Sequence, residues 1–93
     1  MALLASPAAL PAAARDNSRD QEAAYRLTRE GKIMPLRMIE RRIVPRMRGA
    51  TYLGPELDPV AAVYRLKFMR DGQIIWVDVD ARSGRVLRTA RGR

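Results

Sequence analysis

The sequence contains no cysteine and no histidine. Because cysteine is missing, no disulfide can crosslink the chain and no thiolate can bind a metal ion. Because histidine is missing, the chain lacks the side chain that most often acts as a general base, metal ligand or pH switch. No base is placed to activate any of the three serines Ser6, Ser18 and Ser83. The sequence therefore predicts a protein that is not an enzyme and that uses no metal or cofactor.

Lysine and aromatic residues are scarce. Lysines and arginines total 18, but only Lys32 and Lys67 are lysines, and five residues are aromatic. The net charge of +8 favours nucleic acid, anionic lipid or an acidic protein as a partner, although a GC-rich genome produces the same arginine bias. No aromatic stacking pattern accompanies the arginines of segment 41–48, so we interpret them as a solvated helix face. A basic domain that binds nucleic acid or another polyanion is the alternative function.

The N-terminal segment is apolar and rich in alanine. Ala12 and Ala14 satisfy the small-x-small pattern of a secretory cleavage site, but no basic region precedes the apolar run and Pro7 interrupts it. We interpret residues 1–15 as the distal half of a signal peptide or, alternatively, as a disordered leader. The segment is too short to cross a bilayer as a helix. The expected location is exported or periplasmic.

The rest of the 93-residue chain has the length of one small domain, predicted over residues 19–89 and followed by a loose tail over 90–93. Its first helix is predicted over about 19–30, with Gly31 in the left-handed position that ends it. Two capping pairs compete for the start of this helix, namely Ser18 with Gln21 and Asn17 with Asp20.

A second helix is predicted from Pro35 to about Val44. Pro35 suits the first helical position because its missing N–H has no intrahelical partner there. Pro45 ends or kinks the helix, since its ring clashes with the preceding turn. Apolar side chains recur at steps of three and four residues and form one face, made of Leu36, Ile39, Ile43 and Met47.

From residue 50 onward the hydrophobic period changes to two, which predicts strands. The Asp71-Gly72 pair is typical of a two-residue hairpin turn, because type I′ geometry needs a positive φ at both positions. A second turn is predicted over 80–84, with Gly84 in the left-handed position. Strands are expected over 50–53, 61–69 and 85–89 and directly after the hairpin turn, with a loop over 54–59.

The hairpin turn also sets the register of the two strands it joins. Three apolar pairs share one face, namely Phe68 with Ile75, Leu66 with Val77 and Tyr64 with Val79. On the other face Lys67 meets Trp76 in a cation–π pair and Arg65 meets Asp78 in an ion pair, each worth about 0.5 kcal/mol when exposed. We therefore predict an α+β fold, in which two N-terminal helices pack on one face of a three- to four-stranded antiparallel sheet.

Three short motifs follow one another between Ala23 and Leu87. They read Gly31-Lys32-Ile33-Met34-Pro35-Leu36-Arg37, then Val63-Tyr64-Arg65-Leu66-Lys67-Phe68-Met69 with Asp71-Gly72, then Val79-Asp80-Ala81-Arg82-Ser83-Gly84-Arg85-Val86-Leu87. Each motif alone is weakly specific. Their order and spacing together resemble those of the PepSY domain family.

The resemblance to PepSY domains implies a helix packed on an antiparallel sheet and an exported or envelope location. The family occurs in propeptides of thermolysin-like metallopeptidases and in envelope proteins, and a role in inhibiting or regulating a peptidase has been proposed for it. It brings no catalytic residues. The expected function is a non-enzymatic interaction module of the cell envelope, whose partner is an envelope peptidase or a sensor protein. Arg65 stands where the family usually has glutamate, so a partner chosen through charge does not carry over.

The candidate contact surface lies on the sheet face away from the helices. Trp76, the only tryptophan, is expected there near Ile74, Val63 and Met69, with Arg65 and Lys67 at its rim. Such an apolar patch suits a protein contact. The alternative is that the stem of Lys67 or the N-terminal segment covers the Trp76 ring.

Asp78 and Asp80 lie two residues apart on one strand, which places their carboxylates on the same face at a spacing of about 7 Å. A hard cation could use them, but two ligands without a third make a poor calcium or magnesium site. We expect Asp78 to pair with Arg65 and Asp80 to cap the second turn instead.

Overall fold

The computed structural model describes the backbone of residues 12–92 and the side chains of residues 19–92. Two helices precede a four-stranded antiparallel sheet with the strand order β1-β2-β3-β4. The predicted α+β fold, with its helices N-terminal to the sheet, is confirmed. The elements are α1 (Ala12–Arg29), α2 (Leu36–Ile43), a 3₁₀ turn (Val44–Arg46), β1 (Thr51–Asp58), β2 (Val63–Arg70), β3 (Gln73–Asp80) and β4 (Val86–Gly92).

Helix α1 begins before both capping pairs proposed for it. Residues 12–18 are already helical, so neither Asn17 nor Ser18 starts the helix. The three alanines of 12–14 are strong helix formers, which accounts for the extension. The rest of the proposed leader, residues 1–11, lies outside the described residues. The end of α1 agrees with the prediction, because Gly31 has a φ of 71° and the Lys32 N–H bonds to the Leu27 carbonyl at 2.9 Å.

Helix α2 presents its predicted apolar face to the sheet. Pro35 lies one residue before the helix rather than at its first position, and α2 ends at Ile43, where Pro45 enters a 3₁₀ turn. Ile39 and Ile43 are buried. They pack with the apolar face of the sheet in a core whose largest fully buried side chains are Tyr64, Phe68, Ile39, Leu66 and Val79. Full burial of such side chains stabilises the fold by about 1.5–3 kcal/mol each.

The β2–β3 hairpin has the predicted register at every predicted pair. Arg70 is opposite Gln73, and the three apolar pairs and the Lys67–Trp76 and Arg65–Asp78 pairs follow from it. Asp71 and Gly72 have φ values of 52° and 76°, as a type I′ turn requires. Strand β2 begins two residues later than predicted, because Ala62 adopts a φ of 56° in the turn before it.

Strand β1 corrects the prediction of a short strand over 50–53 and a loop over 54–59. The strand continues to Asp58, with a bulge between Tyr52 and Gly54 where Gly54 has a φ of 123°. Pro55 lies inside the strand opposite Leu66. The missing proline N–H is tolerated because β1 is an edge strand, so one side of its backbone needs no partner in the sheet.

Strand β4 corrects the prediction of a loose tail over 90–93. The strand begins at Val86 and extends to Gly92, three residues beyond the predicted end at Thr89. Ala90 is opposite Trp76 and Gly92 is opposite Ile74. Residues 90–92 therefore belong to the sheet and border the predicted contact surface.

Candidate functional site

The five candidate contact residues share the sheet face opposite the core. Their neighbours in the alternation of β2 and β3, among them Leu66, Phe68 and Val77, are buried against the helices. No helix of residues 12–92 packs on the face that carries the candidates. That face holds Arg65, Lys67 and Met69 from β2 and Ile74 and Trp76 from β3.

Trp76 is half-buried, and two neighbours contact it. The Arg65 guanidinium carbon lies 5.9 Å from the centre of the indole ring. The backbone of Gly92 lies against the six-membered ring so closely that a methyl group on Gly92 would overlap it. The end of β4 therefore holds one side of the ring, and Arg65 lies over its face. The alternative prediction that the N-terminal segment covers the ring involves residues 1–11, which lie outside the described residues.

The cation–π partner of Trp76 differs from the prediction. Lys67 is opposite Trp76 in the register, but its ammonium lies 2.9 Å from a carboxylate oxygen of Glu56 on β1. Arg65, diagonal to Trp76, reaches the ring instead. The prediction assigned Glu56 to a loop, and an ion pair across the β1–β2 ladder was therefore not anticipated. The ammonium of Lys67 is therefore directed toward β1 and not over the Trp76 ring.

A row of alternating charges crosses all four strands beside Trp76. We call Glu56, Arg65, Asp78 and Arg88, which face one another in successive strand pairs, the charged row. Asp78 is 6% exposed and is the only buried charged residue among the described side chains. Its carboxylate accepts bonds from Arg65 Nε at 2.8 Å, from Arg65 Nη2 at 3.3 Å and from Arg88 Nε at 2.8 Å.

The two arginines determine the ionisation of Asp78. The hydrogen bonds from Arg65, with a smaller contribution from Arg88, hold the pKa of the Asp78 carboxyl below its ordinary value despite the opposing effect of burial. The same bonds raise the pKa of Arg65. Asp78 therefore remains a carboxylate at neutral pH and fixes both guanidinium groups on the open face.

Asp80 performs the turn-capping role predicted for it. Its carboxylate accepts a bond from the Arg82 N–H at 2.9 Å, and this bond is the main cause of the lowered pKa of Asp80. Asp78 and Asp80 thus direct their oxygens to arginine and to backbone N–H groups. Within residues 19–92, no group of three or more acidic side chains is arranged to hold a metal ion.

The apolar part of the open face lies on one side of the charged row. We call Met69, Ile74 and Trp76 the Trp76 patch. Met69 is 41% exposed, while Ile74 and Trp76 are half-buried. Val63, which was expected near this patch, lies opposite Asp80 at the other end of β2 and is separated from Trp76 by the Arg65–Asp78 pair.

An open cleft of about 570 Å³ lies at that other end of the sheet. Asp20 of α1 contributes to it and accepts a hydrogen bond from the Leu57 N–H at 3.3 Å. The carboxylates in its lining belong to Asp20, Glu56, Asp58 and Asp78. Its two arginines, Arg65 and Arg88, are both ion-paired to Asp78. Among the described side chains that line the cleft, no buried nitrogen or oxygen atom lacks a hydrogen-bond partner.

Sequence reasoning missed three residues that shape the open face. Glu56 and Arg88 complete the charged row, and Gly92 supports the Trp76 ring. Regular pairing outward from the Ser83-Gly84 turn would place Leu87 opposite Asp78, and Arg88 takes that position only because the register shifts between Asp78 and Val79. Glu56 and Gly92 carried no local signal, because Gly54-Pro55 and Ala90-Arg91-Gly92 are poor strand sequences.

Comparison with known proteins does not extend these observations. No family model, no curated protein and no solved structure matches the chain. Among residues 12–92, neither helix combines the length and apolar character that crossing a bilayer requires.

Proposed function

We propose that this chain is a non-enzymatic PepSY-type interaction module of the cell envelope, which binds another protein through the Trp76 patch. The partner is an envelope peptidase or a sensor protein, and its regulation or inhibition is the biological role. The observation that carries the proposal is the Trp76 patch itself, on a sheet face that no described helix covers. An aromatic side chain with an apolar neighbourhood and a charged rim is the usual composition of an interaction hot spot.

The rigidity of the open face supports the proposal. Asp78 fixes Arg65 through two hydrogen bonds, and Arg65 in turn lies over the Trp76 ring. Gly92 supports the ring from β4. A preorganised side chain loses less conformational entropy on binding than a mobile one, so such a surface is suited to binding.

The PepSY-type assignment rests on the three sequence motifs and is supported by their positions in the fold. The first motif joins α1 to α2, the second forms β2 and its hairpin turn, and the third forms the turn into β4. Helices on one face of an antiparallel sheet are the arrangement that the resemblance implies. Export to the envelope follows from the same resemblance and from the signal-like leader.

The alternative, a binder of nucleic acid, receives no specific support from the arrangement of the arginines. Arg42 donates a hydrogen bond to the Ser83 carbonyl at 3.2 Å, and no described aromatic residue stacks with the segment 41–48. Trp76 lies on the opposite side of the sheet from α2. A shift of DNA or RNA mobility at low salt that disappears at physiological salt would revive this alternative.

The proposed function is tested by affinity capture from an envelope extract, with three variants compared to the wild type. Trp76→Ala removes the centre of the patch, and Met69→Ser removes its most exposed member with little effect on packing. Tyr25→Ser, which changes a side chain that is 66% exposed on α1, is the matched control. We expect both patch variants, but not the control, to lose the captured partner.

The same experiment contains the result that would count against the proposal. A partner captured equally by wild type, Trp76→Ala and Met69→Ser does not use the patch. Circular dichroism of each variant establishes that it is folded. Because Met69 is exposed, Met69→Ser is informative even if Trp76→Ala fails to fold.

A further inference from the structure

The two edges of the sheet differ in how far they can accept another strand. On β1 the Leu57 N–H points away from β2 and is bonded by the Asp20 carboxylate at 3.3 Å. Two residues earlier Pro55 has no N–H, and the bulge between Tyr52 and Gly54 interrupts the edge further. Proline, a bulge and a covering element are the usual means of protecting an edge strand. The β1 edge is therefore closed.

The β4 edge contains no proline, no described helix covers it, and its one register shift lies near its start, between Val86 and Arg88. The type I′ turn makes Arg70–Gln73 a hydrogen-bonded pair, and the alternation of antiparallel ladders then directs the backbones of Ile74, Trp76 and Asp78 toward β4. Their partners on β4 are Gly92, Ala90 and Arg88. In the regular part of the ladder, beyond the register shift at Leu87, the backbone N–H and C=O groups of Thr89 and Arg91 consequently face outward.

The charge and composition of β4 indicate what could pair with this edge. Strand β4 contains no acidic residue, Arg88 and Arg91 are exposed along it, and the exposed Arg85 directly precedes it. Leu87 is 55% exposed. A second copy of the chain paired through the same edge would place these arginines together along one seam, and like charges opposite one another are destabilising. Residues 1–11 also lack acidic side chains.

We propose that the β4 edge binds an extended acidic segment of another protein as a fifth, antiparallel strand. The inference rests on the proposed function only in taking a protein as the partner, because it uses the β4 backbone and not the Trp76 patch. Arg88 and Arg91 are three residues apart and lie on opposite faces of the sheet. The segment therefore carries carboxylates three residues apart, with a β-branched residue opposite Thr89 and an apolar residue beyond Arg88, near the exposed Leu87. Main-chain bonds supply the binding and these side chains supply the selectivity.

The probe is a synthetic peptide, Thr-Glu-Thr-Val-Glu-Leu-Thr, with blocked termini. In antiparallel pairing its two glutamates are opposite Arg91 and Arg88, its valine is opposite Thr89 and its leucine lies beyond Arg88, near Leu87. Nitrogen-15 NMR should show that the peptide shifts the backbone amides of these β4 residues and slows exchange of the Thr89 N–H. Replacing both glutamates by lysine, or methylating the valine nitrogen, should abolish binding.

One substitution isolates the backbone contribution. Thr89→Pro removes an outward N–H that makes no bond to β3, and proline is tolerated at such edge positions. We expect peptide affinity to fall about tenfold or more in Thr89→Pro, since a donor and the strand geometry around it are lost. Thr89→Ala, which retains the N–H, should bind within about threefold of wild type. Chemical shifts of the core residues establish that each variant is folded.

Several results would overturn the proposal. They are the absence of binding at millimolar peptide, equal affinity of wild type and Thr89→Pro, and shifts centred on the Trp76 patch instead of β4. Self-association of the wild type that protects the same amides would also overturn it, because a second copy would then be the occupant. Met69→Ser should bind the peptide as wild type does, so failure of the Trp76 patch proposal and failure of the edge proposal are distinguishable.

Discussion

Replacement of Asp78 by asparagine should destabilise the fold and remove part of its sensitivity to acid. The Asp78 carboxylate accepts three bonds, from Arg65 Nε, Arg65 Nη2 and Arg88 Nε, at 2.8, 3.3 and 2.8 Å. An asparagine keeps one acceptor oxygen, but it loses the negative charge and turns an amide donor toward one guanidinium. The row then holds two arginines without their shared partner.

The size of the effect follows from the exposure of the three side chains. Hydrogen bonds to charged groups are worth about 1.5–3 kcal/mol each when both partners are buried. The Asp78 side chain is 9% exposed, but those of Arg65 and Arg88 are 40% and 67% exposed and can recover water when their partner is lost. We therefore expect a loss of about 1–2 kcal/mol in the free energy of unfolding, below the values typical of fully buried pairs. For a domain of this size the melting temperature should fall by roughly 5–15 °C.

The contribution of Asp78 to the free energy of unfolding should decrease in acid. The arginines lower the folded-state pKa of Asp78, so its contribution to stability is present above the unfolded aspartate pKa of about 3.9 and is lost as the pH falls through the lower folded value. Thermal unfolding followed by circular dichroism at pH 7 and near pH 2 should show a gap between wild type and Asp78→Asn that narrows in acid. Asp71→Asn makes the same charge change in an exposed turn and should stay within about 0.5 kcal/mol of wild type. A gap of equal size at both pH values would refute the role of the Asp78 charge.

Two further substitutions test the turn and the helix–sheet contact. Gly72→Ala should destabilise the fold by about 1–2 kcal/mol in denaturant unfolding, because the methyl group meets no atom within 4 Å and the φ of 76° is the only source of strain; equal stability would contradict a type I′ turn. Tyr52→Phe should cost about 1 kcal/mol at pH 7, since the Tyr52 hydroxyl donates to Glu40 at 2.7 Å. Burial and Glu40 raise the pKa of Tyr52, so the contribution of its hydroxyl to stability is fully present below the unfolded tyrosine pKa of about 10. The difference in free energy of unfolding between wild type and Tyr52→Phe should therefore narrow above pH ~10. A difference that stays constant to about pH 11 would contradict this.

The hairpin was predictable because its determinants are local. Asp71-Gly72 specifies the turn, and the alternation around it is consistent with only one register. Strand β1 was not predictable, because Gly54 and Pro55 are locally unfavourable and an edge position tolerates them. The sequence therefore predicted the structure correctly where neighbouring residues decide it, and failed where the position of a strand in the sheet decides it.

The open face shows the same division. Its five candidate residues were placed correctly on one side of the sheet, since alternation decides that side. The predicted cation–π partner of Trp76 was wrong. The choice between Lys67 and Arg65 depends on Glu56, which lies in a strand that had been predicted to be a loop. Contacts supplied by distant segments, including Gly92 at the ring, depend on the completed sheet.

The most direct test of the central claim is fluorine NMR of the protein labelled with 5-fluorotryptophan. Trp76 is the only tryptophan, so the spectrum of the labelled chain contains one indole signal that reports on the patch alone. On addition of the unlabelled partner recovered by capture, we expect this signal to shift and the Trp76 indole to become less accessible to a soluble paramagnetic quencher. A signal that keeps its position and its accessibility while the partner is bound at saturation would contradict the assignment of the Trp76 patch as the binding surface.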